Sequence, residues 1–336
     1  MKSGGSLGKF LLVSLLGIGL AFPATALAQK SNLTKTMVAY SGLVVNQATV
    51  WVAKEAGLLA AEGLDATLLF IASGSQTAQA LTAGDVEIAV GGGSAVINAA
   101  LGGVDLVLIA GMVNVYPNSF FSTRDIKSPI ELKGKKIGIT RFGSSSQIAT
   151  EIFMRAFGLE VNRDYTLIQL GTAPVRMAAL ETGAIQGTTL ADPEGYMAAK
   201  AGLKELISIK DAKKLNINYQ HTAISVSRSL LRQKRRIAER FMRGHVRALQ
   251  FYQTRRAETM AIMGKYMRIS DPEVLAATYD RNVDLFEKVP YPSLKGIQTL
   301  LDLNPKAKGA RPEQFVDLSI VRELEQSGFI KKVWGE

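Results

Sequence analysis

The chain repeats itself. Residues 78–103, AQALTAGDVEIAVGGGSAVINAALGG, align without a gap on residues 177–202, MAALETGAIQGTTLADPEGYMAAKAG. A constant offset of 99 puts Ala80 and Leu81 on Ala179 and Leu180, Gly84 on Gly183, Ala99 and Ala100 on Ala198 and Ala199, and Gly103 on Gly202. Upstream, residues 37–58 lie over 137–159 with one inserted residue, pairing Gly57 and Leu58 with Gly158 and Leu159. A chain that resembles itself over such a length is expected to fold into two similar units, each burying its apolar faces in the same way.

Within each half the hydrophobic period alternates between two and 3.6. TMVAYS and KIGITR read as first strands, ATLLFI and YTLIQL as second strands, and VEIAVG and IQGTTLA as third strands. ATVWVAKEAGLLAAEG and SQIATEIFMRAFGLE read as amphipathic helices between them. Strands that alternate with helices imply mainly parallel sheets covered on both faces. VYPNSFFSTRDIKSP and YQHTAISVSRS then look like extended crossings between two α/β lobes. The expected division is 31–121 plus 222–336 for lobe one and 122–221 for an inserted lobe two. The remainder reads as helices at about 229–264, 271–284, 293–303 and 312–327, with Pro272, Pro292 and Pro312 near helix starts. That tail is expected to pack on lobe one.

The first 28 residues have a different character. Lys2 and Lys9 precede the run FLLVSLLGIGLAF, and Ala26-Leu27-Ala28 supplies the small-x-small pattern of a signal-peptidase site. The apolar run is shorter than the roughly 20 residues that span a bilayer, so a secretory leader cleaved after Ala28 is expected. The sequence has no cysteine, which excludes a lipid-modified cysteine, disulfides, thiolate metal sites and a cysteine nucleophile. Its formal net charge is +11. For an exported protein that charge points to anionic ligands, acidic partners or membrane surfaces ahead of nucleic acid.

Open parallel sheets bind ligands at the carboxyl ends of their strands, where turns meet helix N-termini. Here those turns are small and polar in both halves: SGLVVNQ and RFGSSSQ after the first strands, ASGSQ and GTAPV after the second, GGGSA and ADPEG after the third. If the lobes face each other, all six line one cleft. Unpaired N–H groups and about half a positive charge at a helix N-terminus bind anionic oxygens, and Arg141 would add a bidentate fork. Each residue also has a plainer reading. Ser144, Ser145 or Ser146 caps a helix, Gly91–Gly93 relieves a tight turn, Arg141 is an exposed turn residue, and Asp192 caps the helix near Glu194. Tyr40, Tyr116, Phe142 and Tyr196 are either stacking surfaces or core.

Enzyme signatures are missing. GGGS and GSSS lack the lysine of a phosphate loop, Gly91 to Val96 lacks the third glycine of a dinucleotide fingerprint, and FGSSSQ lacks the glycine spacing of a hydrolase elbow. His221 and His245 are the only histidines, too few for a triad with support or for a transition-metal site. In LLRQKRRIAERFMRGHVRALQFYQ, Arg232, Arg236, Arg240, Arg243 and Arg247 form a stripe opposite Ile237, Phe241, Ala248 and Tyr252. That stripe is either a solvated face or a docking surface for an acidic partner.

AKEAGLLAAEGLDATL, QALTAGDVEIAVGGGSAVINAALGG, IELKGKKIGITRFGSSSQIATEIFMRAFGL and MAALETGAIQGTTLADPEGYMAAKAG, behind a signal peptide, together resemble the nitrate/sulfonate/taurine-type solute-binding proteins of ABC importers. Thiamine-precursor-type binding proteins belong to the same superfamily. The resemblance covers roughly residues 35–225. It implies a type II periplasmic binding protein: two α/β lobes with two hinge crossings, closing on a small ligand and delivering it to a permease, with no cofactor, no metal and no chemistry. The chain would then be a monomeric periplasmic protein. Its ligand-lining turns map here onto Ser41, Asn46, Ser73, Gly74, Gly92, Ser94, Arg141, Ser144, Ser145, Ser146 and Asp192. Many relatives carry tryptophan just before the Asp-Pro, where this chain has Ala191. The expected ligand is a small organic anion, a sulfonate or carboxylate, held by Arg141 and the N–H groups beside Ser144–Ser146. A neutral heterocycle such as a pyrimidine and a sensory role remain the alternatives. Pyrimidine-forming enzymes of the superfamily would call for reactive Cys and His groups that this chain largely lacks.

Overall fold

Two five-stranded sheets with the same strand order organise the computed structural model, which describes residues 33–208, 211 and 218–336. The expected leader lies outside the described residues. Strands β1 (Thr34–Tyr40), β2 (Leu64–Phe70), β3 (Ile88–Gly92), β4 (Leu106–Val113) and β10 (Thr222–Ser227) form the first sheet in the order β2-β1-β3-β10-β4. Strands β5 (Ser119–Ser122), β6 (Lys135–Ile139), β7 (Tyr165–Gln169), β8 (Gly187–Leu190) and β9 (Lys204–Ile207) form the second in the order β7-β6-β8-β5-β9. In each, the fourth strand arrives from a crossing and runs antiparallel to its neighbours: β10 to β3 and β4, β5 to β8 and β9. The sequence repeat is thus a repeat of topology.

The crossings differ from a simple reading of the sequence. The chain leaves the first sheet after Val113 and enters the second at Ser119, so the expected boundary after residue 121 falls inside β5. LVLIAGMV, SFFS and KELI are strands that the repeat alone does not announce. β5 is four residues of a crossing segment, recruited because β8 offers it a free antiparallel edge.

Side-chain alternation splits the first sheet between two cores. Val38 and Tyr40 of β1 face one core, with Trp51, Phe241 and Leu249; Ala39 faces the other, with Leu81, Val96 and Ile97. The first core is covered by α1 (Ala48–Glu55), α2 (Leu58–Ala61) and the long α8 (Arg228–Thr254); the second by α3 (Gly74–Ala83) and α4 (Gly93–Leu101). In the second sheet the covering helices are α5 (Ser145–Ala156), α6 (Ala173–Glu181) and α7 (Glu194–Lys200). The tail continues as α9 (Arg256–Met267), α10 (Pro272–Asp280), α11 (Leu294–Asp302), α12 (Ser319–Gln326) and α13 (Phe329–Trp334), with α8, α9, α12 and α13 adding to the first sheet's cores.

The helix expected over 229–264 divides at Arg255. The Tyr279 hydroxyl donates to the Tyr252 carbonyl (2.8 Å), and the Thr254 hydroxyl donates back to the Gln250 carbonyl (2.9 Å). Both take up carbonyls at the end of the α8 ladder. Its arginine stripe is largely folded onto the protein itself: Arg243 and Arg247 share the carboxylate of Glu62 (2.8 and 3.0 Å), Arg232 reaches Asp105 (3.1 Å), and Arg240 donates to the Gly63 carbonyl.

Candidate functional site

The carboxyl ends of β1, β2 and β3 face those of β6, β7 and β8 across a cavity of about 150 Å³. Ligand pockets for drug-sized molecules run from about 300 Å³ upward, so the space suits a small solute. The N-termini of α3, α4, α5 and α6 converge on it, at Ser73 and Gly74, Gly92, Ser144 and Ser145, and Thr172 and Ala173. The first N–H groups of each helix have no partner within the helix. Four positive dipole ends therefore share one small space.

The α5 turn is built by its own serines. Ser144 Oγ donates to the Arg141 carbonyl (2.6 Å), Ser146 Oγ accepts from the Thr140 N–H (2.8 Å), and the two hydroxyls bond each other (2.9 Å). Gly143 adopts φ +77°, where a side chain would be strained. The N–H groups of residues 140–144 are likewise taken up within the protein, which leaves those of Ser145 and Ser146, in the first turn of α5, for the cavity. Ser145 is used differently: its hydroxyl meets Ser94 Oγ at 3.0 Å, joining α5 to α4 across the cleft. A Cβ on Gly92 would lie 2.3 Å from Ser145 Oγ, so a side chain there would turn the Ser145 hydroxyl away from Ser94.

Of the residues expected from the sequence, Ser41, Asn46, Ser73, Gly74, Gly92, Ser144, Ser145 and Ser146 line the cavity. Ser94 is buried behind it, bonded to Ser145. Arg141 is in the same turn, but its side chain is not part of the cavity wall. Asp192 has other partners: its Oδ2 accepts from Arg281 Nε (3.0 Å) and Asn282 Nδ2 (2.9 Å), and its carbonyl accepts from the Val45 N–H (3.1 Å). It ties the second sheet's lobe to the helical tail. Among the four aromatic candidates Tyr116 lines the cavity; Tyr40 packs on Trp51 and Phe70, Phe142 is exposed, and the Tyr196 hydroxyl donates to Glu273.

Three functional groups came from outside those expectations. Arg176, on the first turn of α6, is buried, and its guanidinium is held entirely by neutral acceptors. Nε donates to Thr188 Oγ1 (3.1 Å), Nη2 to the Thr189 carbonyl (3.0 Å), and Nη1 to the Gly171 carbonyl (2.8 Å) and to Thr140 Oγ1. Burial lowers its pKa to about 10, which leaves it charged at neutral pH. The second group is Glu194 at the start of α7, 7% exposed, with Oε2 lacking any hydrogen-bond partner among the described residues. Burial raises its pKa to about 7. Arg176 and Glu194 are the only formally charged side chains among the described residues lining the cavity. The third is His221, whose Nδ1 pairs with Thr222 Oγ1 (2.9 Å) and whose burial lowers its pKa to about 3, so it is neutral. The sequence did hold a signal for Arg176: it sits between Ala173, Met177 and Leu180 on the apolar face of α6.

Residues 45–258 match the family model described as NMT1/THI5 like. The chain belongs to the NMT1/THI5-like family. The matched span of this NMT1/THI5-like chain includes every cavity residue except Ser41, Gly42, Leu43 and Val44. No curated protein matches it in sequence. Among solved structures, one from Bordetella bronchiseptica RB50 is similar with a TM-score of 0.79 at 20% identity, covering 88% of this chain and 98% of that one. The periplasmic nitrate-binding protein NrtA from Synechocystis PCC 6803 is similar with a TM-score of 0.74 at 15% identity, over 88% and 89% of the two chains. The alkanesulfonate-binding protein SsuA from Xanthomonas axonopodis pv. citri, bound to MOPS, gives 0.67 at 19% identity over 80% and 90%. The NMT1/THI5-like chain thus has the fold of periplasmic binding proteins, two mixed five-stranded sheets with flanking helices.

Proposed function

We propose that this protein is an exported solute-binding protein of an ABC importer, which captures a small organic anion, a sulfonate or carboxylate, by closure of two lobes and delivers it to a permease. The observation that carries this proposal is Arg176. A buried cation held only by neutral acceptors is costly until an anion joins it. Here it lines a cavity toward which four helix N-termini also point. The N–H groups of Ser145 and Ser146 complete the anion's shell from lobe two, and Ser41, Asn46 and Ser73 supply hydrogen bonds from lobe one. The lobes are built on the first sheet, residues 34–113 with 222–336, and on the second sheet, residues 119–207, with residues 114–118 and 218–221 passing between them. Release of a leader after Ala28 places a monomer in the periplasm. Nitrate binding in NrtA and sulfonate binding in SsuA, as their names state, lend support to an anionic ligand.

Glu194 favours a second reading. Its unpartnered Oε2 would accept an N–H from a neutral heterocycle such as a pyrimidine. A thermal-shift panel of ethanesulfonate, propionate, nitrate and cytosine separates the two. Stabilisation by ethanesulfonate or propionate, lost in Arg176→Met, is the expected outcome. Stabilisation by cytosine alone would replace the anion by the heterocycle.

A further inference from the structure

Glu194 is the one group in the cleft that an anion-binding site does not need. The carboxyl is more than nine-tenths buried, lines the same cavity as Arg176, and leaves Oε2 without a partner among the described residues. Its charged surroundings are few. From α6 it faces Arg176. From the turn before α7 it faces Asp192, whose charge is matched by Arg281 of the tail. The crossings contribute Tyr116 and neutral His221, and lobe one contributes Asn46, Gln47 and Ser73, none of them charged. An anion that settles against Arg176 would therefore meet an ionised Glu194 with no second cation between them. Two buried like charges in a small, water-poor space do not both persist; one takes a proton.

We propose that Glu194 takes up a proton from solvent as the anion enters and donates the resulting O–H to it, so that the closed cleft holds anion and proton together and releases both on opening. The inference rests on the ligand being an organic anion. The free site is already poised for it, because burial has raised the Glu194 carboxyl to about 7 before any ligand arrives. Linkage then fixes the sign. A proton bound with the ligand makes affinity rise as pH falls, by up to about tenfold per pH unit above the free-protein pKa. A carboxylate used as an acceptor for an N–H ligand would give the opposite slope.

Ethanesulfonate is a suitable probe because it does not titrate in this range. Calorimetry in chloride solution buffered with Tris or imidazole, neither of them an anion, is expected to show weaker binding at pH 8.5 than at pH 6.5, by about tenfold or more. Mixing in unbuffered chloride solution with a pH indicator is expected to show proton uptake approaching one per ligand bound at pH 8. Glu194→Gln, permanently uncharged and carrying an N–H donor, is expected to bind with no pH slope and, at pH 8.5, more tightly than the native protein. Ethanesulfonate binding with constant affinity and no proton uptake overturns the coupling and leaves the anion reading standing. Affinity that rises with pH overturns the coupling too. If ethanesulfonate and propionate both fail to bind at pH 6.5, the anion reading falls and the coupling with it.

Discussion

Arg176 and Arg141 separate what a sequence can say about a side chain from what it cannot. Both lie near turns that end strands in the repeat, and the turn carrying Arg141 has the more suggestive serines. Yet the Arg141 side chain does not line the cavity, whereas Arg176 reaches over it from inside α6. Turn composition locates backbone, but the direction of a long side chain depends on packing around it. Arg176→Met is expected to weaken anion binding at least a hundredfold, about 3 kcal/mol or more, and Arg141→Ala by less than threefold, both read by calorimetry. His245 offers a residue-scale prediction about stability. It is fully buried, stacks parallel to Phe241, has no partner for either ring nitrogen among the described residues, and burial lowers its pKa to about 3. A depressed histidine contributes stability that is fully present above pH 6.5 and is lost as pH falls toward 3, at about 1.4 kcal/mol per unit. Thermal melts of His245→Leu are expected to fall less steeply between pH 6.5 and 4.5 than those of the native protein.

At the scale of elements, the two halves were legible because burial period and turn chemistry agree, strand by strand, over the repeat. Strands β4, β5 and β9 were not, since a short apolar run becomes a strand only when an edge is there to receive it. The arginine stripe of α8 was visible as a pattern, but its partners were not: Glu62 lies far away in sequence and meets Arg243 and Arg247 only in the folded chain. Both arginines are about two-fifths exposed, so Glu62→Gln is expected to cost about 1 kcal/mol in urea unfolding rather than the larger loss of a fully buried pair. Gly92, expected from the sequence as a turn glycine and as part of the ligand-lining turns, also sits where α4 and α5 meet. Gly92→Val is expected to break the Ser94–Ser145 hydroxyl bond and reduce ligand affinity about tenfold, while the ligand-free melting temperature moves by only a few degrees.

For the molecule as a whole, the second sheet's helices are tied to the tail by contacts that neither half contains alone. Asp192 holds Arg281 and Asn282, and Tyr196 and Lys200 both reach Glu273 (2.7 and 2.8 Å), so α7 docks on the helical tail. The sequence suggested a carboxylate for ligand or cap at Asp192; the tail, whose resemblance was only general, claims it instead. Asp192→Ala is expected to enlarge the radius of gyration seen by small-angle scattering in the ligand-free state and to weaken anion binding, without loss of either sheet.

A cleft that holds a small anion against Arg176 should keep that anion through gentle purification. Native mass spectrometry of protein purified from producing cells without refolding tests it most directly. The expected result is a retained small molecule that carries a sulfonate or carboxylate, present in the native protein and absent from Arg176→Met. A neutral or cationic molecule, or an anion retained equally by both proteins, would contradict it.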